Sequence, residues 1–217
     1  MPKLFNALAL SLLLAASTAV SLSPALAQTD TATPAPTADA AVPNDLSMGA
    51  TERPGLPNQA DAAMGDTYLA AEFDQWQQRC VKTVNGSDPC QLYQLLYDVD
   101  GNSVGEISLF NLPDGAKAAA GATFMAPLET LLTANVKISV DKKQAKFYPF
   151  AFCAKVGCVA RIGLTTDELA AMKKGVSAVI TIVPAAAPDK TVDLTLTLKG
   201  FTAGFEAVKT ANLASNK

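Results

Sequence analysis

The dominant pattern along the chain is short and strand-like. Its clearest case is Thr191-Val192-Asp193-Leu194-Thr195-Leu196-Thr197-Leu198, where Val192, Leu194, Leu196 and Leu198 face one side and the Thr and Asp side chains face the other. That alternation predicts a strand in a sheet with one wet face. Val136, Ile138 and Val140 alternate in the same way, and the nearly continuous apolar, β-branched run 176–183 predicts a more buried strand. Further strands are predicted over 73–80, 91–98, 103–110, 122–126, 146–153 and 158–164. Asp100-Gly101 and Asn85-Gly86 read as hairpin turns, because Gly, Asn and Asp tolerate positive φ. One short helix is marked by Thr165-x-x-Glu168, a capping box, with Leu169 and Met172 on its buried side, Lys173 and Lys174 at its C-terminal end, and Gly175 as its stop. A second helical stretch follows Gly200, with Phe201, Phe205 and Val208 on one face. Many short strands with few helices define an all-β domain over 66–212, and the expected architecture is an immunoglobulin-like β-sandwich, with a small β-barrel as the alternative.

The chain ahead of this domain has a different composition. Lys3 precedes a Leu- and Ala-rich run from Leu4 to Val20, and Pro24 is followed by Ala25-Leu26-Ala27. Residues 1–27 are thus expected to be a signal peptide cleaved after Ala27. The run approaches the length that spans a bilayer, so an uncleaved anchor is the route by which the chain would touch a membrane. Residues 28–65 contain five prolines and no aromatic residue, and they are expected to be a disordered Pro/Ala-rich linker. Residues 213–217 are expected to be a short C-terminal tail.

Composition narrows the chemistry. The chain has 217 residues, a formal net charge of −3 and no histidine. An acidic balance offers no electrostatic footprint for phosphate backbones, which argues against nucleic-acid binding. The missing histidine removes the usual general base near neutral pH and the commonest metal ligand. Acid–base work would fall to carboxylates such as Glu106 or Asp141, or to a lysine, and none of these sits in a recognisable catalytic motif. No catalytic, cofactor-binding or metal-binding residue is therefore assigned, and no enzymatic activity is expected.

Four cysteines, Cys80, Cys90, Cys153 and Cys158, carry the strongest chemical signal. An even count in an exported chain predicts disulfides. Of the three possible pairings, Cys80–Cys90 and Cys153–Cys158 are expected, since each spans a predicted hairpin. A Cys₄ zinc site is disfavoured by the spacing of the first pair and by an oxidising compartment, and the absence of C-x-x-C argues against redox activity. Asp98-Val99-Asp100-Gly101-Asn102 has its glycine in the wrong place for a calcium loop and reads as a turn. The doublets Lys142-Lys143 and Lys173-Lys174 read as a solvated turn and a helix end. Trp76, four residues before Cys80, is expected to pack in the core against a disulfide.

The order of these features resembles one known family. Trp76, Cys80 and Cys90-Gln91 come first, then Met125-Ala126-Pro127-Leu128 leading to Val136-Lys137-Ile138. Phe150-x-x-Cys153, Gly157-Cys158-Val159-Ala160, Met172-Lys173-Lys174-Gly175 and Leu198-Lys199-Gly200-Phe201-Thr202-Ala203 follow. Over about residues 68–208 the chain is similar to the invasion-associated locus B family of exported bacterial proteins, although Glu129 stands where that family usually has glycine. The resemblance implies a periplasmic or secreted, disulfide-bearing β-sandwich. Some members are linked to the invasion of host cells, and no catalytic residue is established that could be carried over.

Together these readings lead to an expectation of a non-enzymatic envelope protein that contacts an envelope or host protein through a sheet face or an edge strand. The alternative is a periplasmic small-ligand-binding module.

Overall fold

The computed structural model describes residues 55–113 and 115–215. The expected signal peptide and residues 28–54 of the expected linker lie outside them. The described strands are β1 (Thr67–Phe73), β2 (Trp76–Val81), β3 (Cys90–Tyr97), β4 (Ser103–Asn111), β5 (Ala120–Ala126), β6 (Val136–Val140), β7 (Lys146–Tyr148), β8 (Phe150–Ala154), β9 (Gly157–Leu164), β10 (Ser177–Ile182) and β11 (Val192–Thr197). The helices are α1 (Thr166–Lys174) and α2 (Phe201–Ser215). The class is all-β, with the two helices where the capping box and the stretch after Gly200 place them.

Two predicted strands are divided. The run 73–80 straddles a tight hairpin in which Phe73 pairs with Trp76 across Asp74-Gln75. Asp74 holds φ at 61°, which aspartate tolerates without the glycine that would have announced the turn. The run 146–153 is interrupted at Pro149, which has no N–H to give to a ladder. β7 pairs with β6, whereas β8 pairs with β9.

That interruption closes the fold. The strands follow the order β7-β6-β10-β11-β3-β4-β5-β9-β8, with β2 joined to β3 and β1 to β2. The two ends of the path, β7 and β8, are consecutive in the chain and bend around Pro149, and β7 comes up against β9. On the opposite side β11 meets β3 at a single pair, Thr195 and Tyr97. The molecule is thus a four-stranded layer (β7-β6-β10-β11) folded over a larger one (β1-β2-β3-β4-β5-β9-β8) and joined at both sides into a nearly closed barrel. The sandwich and barrel readings describe the same object, because the two layers meet at a corner on each side, β3–β11 and β7–β8.

The inward side chains of both layers form one core with the helices. Trp76, Leu92, Leu109, Phe124, Ile180 and Leu196 are buried in it, together with Phe201, Phe205 and Val208 of α2. Trp76 does share its strand face with Cys80. Its ring packs on Phe201, with centroids 5.3 Å apart, and its Nε1 donates to the Thr197 carbonyl at 2.9 Å. At the narrow β3–β11 junction a side chain substitutes for a neighbouring strand. Gln94, 1% exposed, donates to the Thr197 carbonyl at 3.2 Å and accepts from the Thr197 N–H at 3.0 Å. Buried amides of this kind are retained because each polar atom has a partner.

Helix α1 locks the other corner. Thr165 and Glu168 form the expected capping box. Glu168 also accepts from the Tyr148 hydroxyl and pairs with Lys146 at 3.0 Å, which ties α1 to β7. Burial alone raises the Glu168 carboxyl, but hydrogen bonds from Tyr148, Thr165 and Lys146 outweigh it and hold it down at about 2.

The last part of the segment expected to be linker packs on the domain. The Leu69 N–H donates to the Pro57 carbonyl, the Gly65 N–H to the Lys82 carbonyl, and Ala62 is buried. At the other end α2 runs on to Ser215, past the expected domain limit at 212.

Candidate binding face

Alternation along β2, β3, β4, β5 and β9 turns every second residue of the larger layer outward. The resulting face is lined with arginine and aromatic or long apolar side chains. Gln77 and Arg79 of β2 lie beside Tyr93, Leu95 and Tyr97 of β3; Glu106 and Phe110 follow on β4, Thr123 and Met125 on β5, and Val159 and Arg161 on β9. Both arginines of the described residues are here, and each stands over a ring. The Arg79 guanidinium carbon is 3.2 Å from the Tyr93 ring centroid, and that of Arg161 is 5.4 Å from the Phe152 centroid. Cation–π contacts of this kind hold the guanidinium flat while leaving donors free to engage a partner.

The first pair is further fixed. Arg79 Nε and Nη2 donate to Gln77 Oε1 at 3.0 and 2.7 Å, and the Tyr93 hydroxyl donates to Glu106 Oε2 at 2.8 Å. Burial, then the hydrogen bond to Glu106 and its negative charge, push the Tyr93 hydroxyl up to about 12 against the opposing pull of Arg79, so it remains a donor at neutral pH.

Depressions open on or beside this face. One, of about 800 Å³, lies where the β2–β3 loop, the end of β4 and the end of α2 meet, among Val81, Pro89, Gln91, Phe110, Asn111 and Asn212. Asn212 builds its wall by accepting from the Cys90 N–H at 2.8 Å and donating to the Cys90 carbonyl at 3.0 Å and to Asn111 Oδ1 at 2.8 Å. Two others, of about 420 and 410 Å³, are lined by Arg79, Tyr93 and Tyr97 and by Phe110, Thr123 and Arg161. Another, of about 160 Å³, lies among Leu95, Glu106, Met125 and Val156. Phe110 can lie across β5 because residue 121 is glycine; a Cβ there would fall 2.5 Å from the ring.

The cysteines sit at the margins of this face. Cys80 and Cys90 oppose each other on β2 and β3 with sulfurs 2.00 Å apart, and Cys153 and Cys158 oppose each other on β8 and β9 at 2.05 Å. Gly157, at φ 150°, lets the second hairpin turn against β5, since a Cβ would meet the Ala126 carbonyl at 2.5 Å.

Other residues singled out in the sequence have structural partners. Asp98 accepts from the Asp100 and Asn102 N–H groups at 3.0 and 2.8 Å and closes the β3–β4 turn. Asp141 accepts from the Ser177 and Val176 N–H groups, bonds that lower its carboxyl. Glu106 and Asp141 lie on different layers, so the structure does not bring them together. Lys173 pairs with Glu206 at 2.7 Å and joins α1 to α2. Among the described residues no three His, Cys, Asp or Glu side chains are placed to hold a metal ion.

Arg79, Tyr93 and Arg161 were not singled out in the sequence. The signal was present: Gln77-x-Arg79 and Tyr93-x-Leu95-x-Tyr97 put large side chains on the polar-facing phase of their strands.

The arrangement defines a class of protein: a disulfide-clamped all-β domain whose larger layer turns an arginine- and aromatic-lined sheet face outward. The sequence profile of the invasion associated locus B (IalB) proteins matches residues 76–209, more than half of the chain, and the chain belongs to this family. A crystal structure of invasion associated protein B from Bartonella henselae shares the fold, with a TM-score of 0.56 and 19% identity over 65% of this chain and 95% of that one. No curated protein matches the sequence.

Proposed function

We propose that the protein is a non-enzymatic, exported envelope component that acts by binding another protein across the outer face of its larger layer. One observation carries the reading: Arg79 and Arg161 are both on this face, each held over an aromatic ring and each bordering a depression. Arginine and tyrosine are the residues through which protein interfaces most often gain their binding energy. Export to the periplasm or cell surface is supported by the two disulfides, which persist in oxidising compartments, and by Ala25-Leu26-Ala27 behind its apolar run. N-terminal sequencing of the exported protein is expected to begin at Gln28, and a start at Met1 or Pro2 would contradict cleavage.

Photo-crosslinking in intact cells tests the binding reading. A crosslinker at Tyr97 or Thr123 should capture a defined protein, and one at the exposed Lys190 on the opposite layer should not. Equal capture from all three positions, or none, would sink the reading. The alternative, a small-ligand module, is favoured by the depression of about 800 Å³, which falls in the size range of such sites. A compound that raised the melting temperature and lost its effect on substitution of Asn212 would decide for it.

A further inference from the structure

We propose that the free edge of β8 receives an extended acidic segment of a partner protein as an added strand. The inference rests on the reading that the protein works through protein contacts, and it supplies the edge and the chemistry of the partner.

β8 runs on past the end of β6. Val136, the first residue of β6, pairs with Tyr148, so β6 covers β7 and stops short of Phe150. β9 pairs with the other side of β8. Among the described residues no hydrogen bond reaches Phe150–Ala154 apart from that ladder. The register shift between Phe150 and Phe152 leaves Ala151 with no partner on β9, as the extra residue of a bulge is left unpaired. Four of the five β8 residues are exposed, and none is charged. An uncharged edge is a template for another strand. Of the other outer strands, β7 comes up against β9, and β1 is guarded, since Pro57 already occupies the Leu69 N–H.

The surroundings select the occupant. Phe147, Phe152 and Val156 are 61%, 45% and 76% exposed along the edge. Residues 136–161 carry Lys137, Lys142, Lys143, Lys146, Lys155 and Arg161 against the single acid Asp141, in a chain of net charge −3. Among the described residues only Lys146 of these is in a salt bridge, with Glu168. Asp141 is engaged with the Val176 and Ser177 N–H groups. Lys137 is the register partner of Phe147, and Arg161 stands over Phe152, so cationic and apolar groups interleave. A second copy of the chain would bring two such basic edges together. An anionic bilayer would suit the lysines and phenylalanines, but phosphate oxygens only accept hydrogen bonds, whereas a strand edge offers carbonyls as well as N–H groups. An acidic peptide with alternating apolar residues satisfies the backbone, the phenylalanines and the charge together.

The test uses the full exported chain and a synthetic peptide alternating Glu and Val, with a Lys–Val peptide and a proline-interrupted Glu–Val peptide as controls. The Glu–Val peptide should slow hydrogen exchange at Phe150–Ala154 and weaken with added salt. Its affinity should fall about tenfold in a Lys137→Glu/Lys155→Glu variant. Both control peptides should fail to bind. Salt dependence is read on the unaltered chain, so it decides even where the variant folds poorly. Unchanged exchange at β8, equal binding of the Lys–Val peptide, or protection by phosphatidylglycerol vesicles instead of the peptide would each overturn the proposal. If Tyr97 and Thr123 crosslink a partner while no peptide protects β8, the edge proposal alone falls; if both experiments fail, the contact reading falls with it.

Discussion

Buried polar residues decide more about this molecule than their number suggests. Gln94 occupies a core position between Leu92 and Leu96, and its amide takes the place of a strand beside Thr197. Gln94→Leu would remove it and leave the Thr197 N–H in the core without its acceptor. The expected cost is about 1–3 kcal/mol, read from urea unfolding as a lower midpoint with an unchanged slope. Asp88, 7% exposed, gathers the β2–β3 loop, β1 and the preceding segment: it accepts from the Thr83 N–H at 2.8 Å, the Tyr68 hydroxyl at 2.9 Å and Gln59 Nε2 at 3.2 Å. The Thr83 N–H, followed by the Tyr68 hydroxyl, holds its carboxyl down at about 2. Burial, then Asp88, pushes Tyr68 up to about 12. A depressed carboxyl stabilises the fold above its unfolded value near 4 and ceases to do so as pH falls towards 2; a raised phenol stabilises it below its unfolded value near 10 and ceases to do so as pH rises towards 12. Stability should therefore hold a plateau between about pH 4 and 10. Asp88→Asn should lower that plateau and flatten the acid limb, as urea midpoints across pH would reveal. An acid limb unchanged by the substitution would mean that other carboxyls, Glu168 first among them, set it.

At the scale of elements the two disulfides do different work. Cys80 and Cys90 are buried between β2 and β3, next to the core, while Cys153 lies on the exposed β8. Removing the first bond should cost about 2–5 kcal/mol of global stability. Removing the second should speed amide exchange in β8 and the β8–β9 turn well before it lowers the global midpoint, because β8 itself is largely exposed while β9 stays mostly buried beside β5. Peptide mapping under non-reducing conditions checks the pairing itself, and a Cys80–Cys153 peptide would refute it. The periodicity of β10 and β11, the capping box of α1 and the apolar stripe of α2 could all be read from local spacing. The β1–β2 hairpin could not, since Asp74-Gln75 lacks the glycine that marks most two-residue turns. The break at Pro149 was legible as a residue but not as a corner: proline stops a ladder, and which strands lie on either side of it is a property of the assembled sheet.

At the scale of the whole molecule the boundary of the folded unit moves towards the N-terminus. A chain beginning at Gly55 should unfold with the same midpoint as the full exported protein. One beginning at Asp66 should lose stability, because it discards Ala62, the Pro57–Leu69 hydrogen bond and the Gln59–Asp88 contact. Equal midpoints for the two truncations would show that residues 55–65 only rest on the surface. The proline content of 28–65 could not mark this division, because docking here is made by main-chain carbonyls and one small alanine, which leave no hydrophobic period.

Local spacing by itself determined the all-β class, the presence of the two helices and the capped start and glycine stop of α1, the turn at Asp100-Gly101 and the family resemblance, because each depends on neighbours within a few residues. The tertiary structure alone decided that β7 and β8 close the sheet, that Gln94 and Trp76 meet Thr197 more than a hundred residues away, and that Arg79 and Arg161 share one face. Strand order, and with it which outward residues become neighbours, follows from how two layers cover one core, and alternation along a strand carries no information about which strand lies beside it.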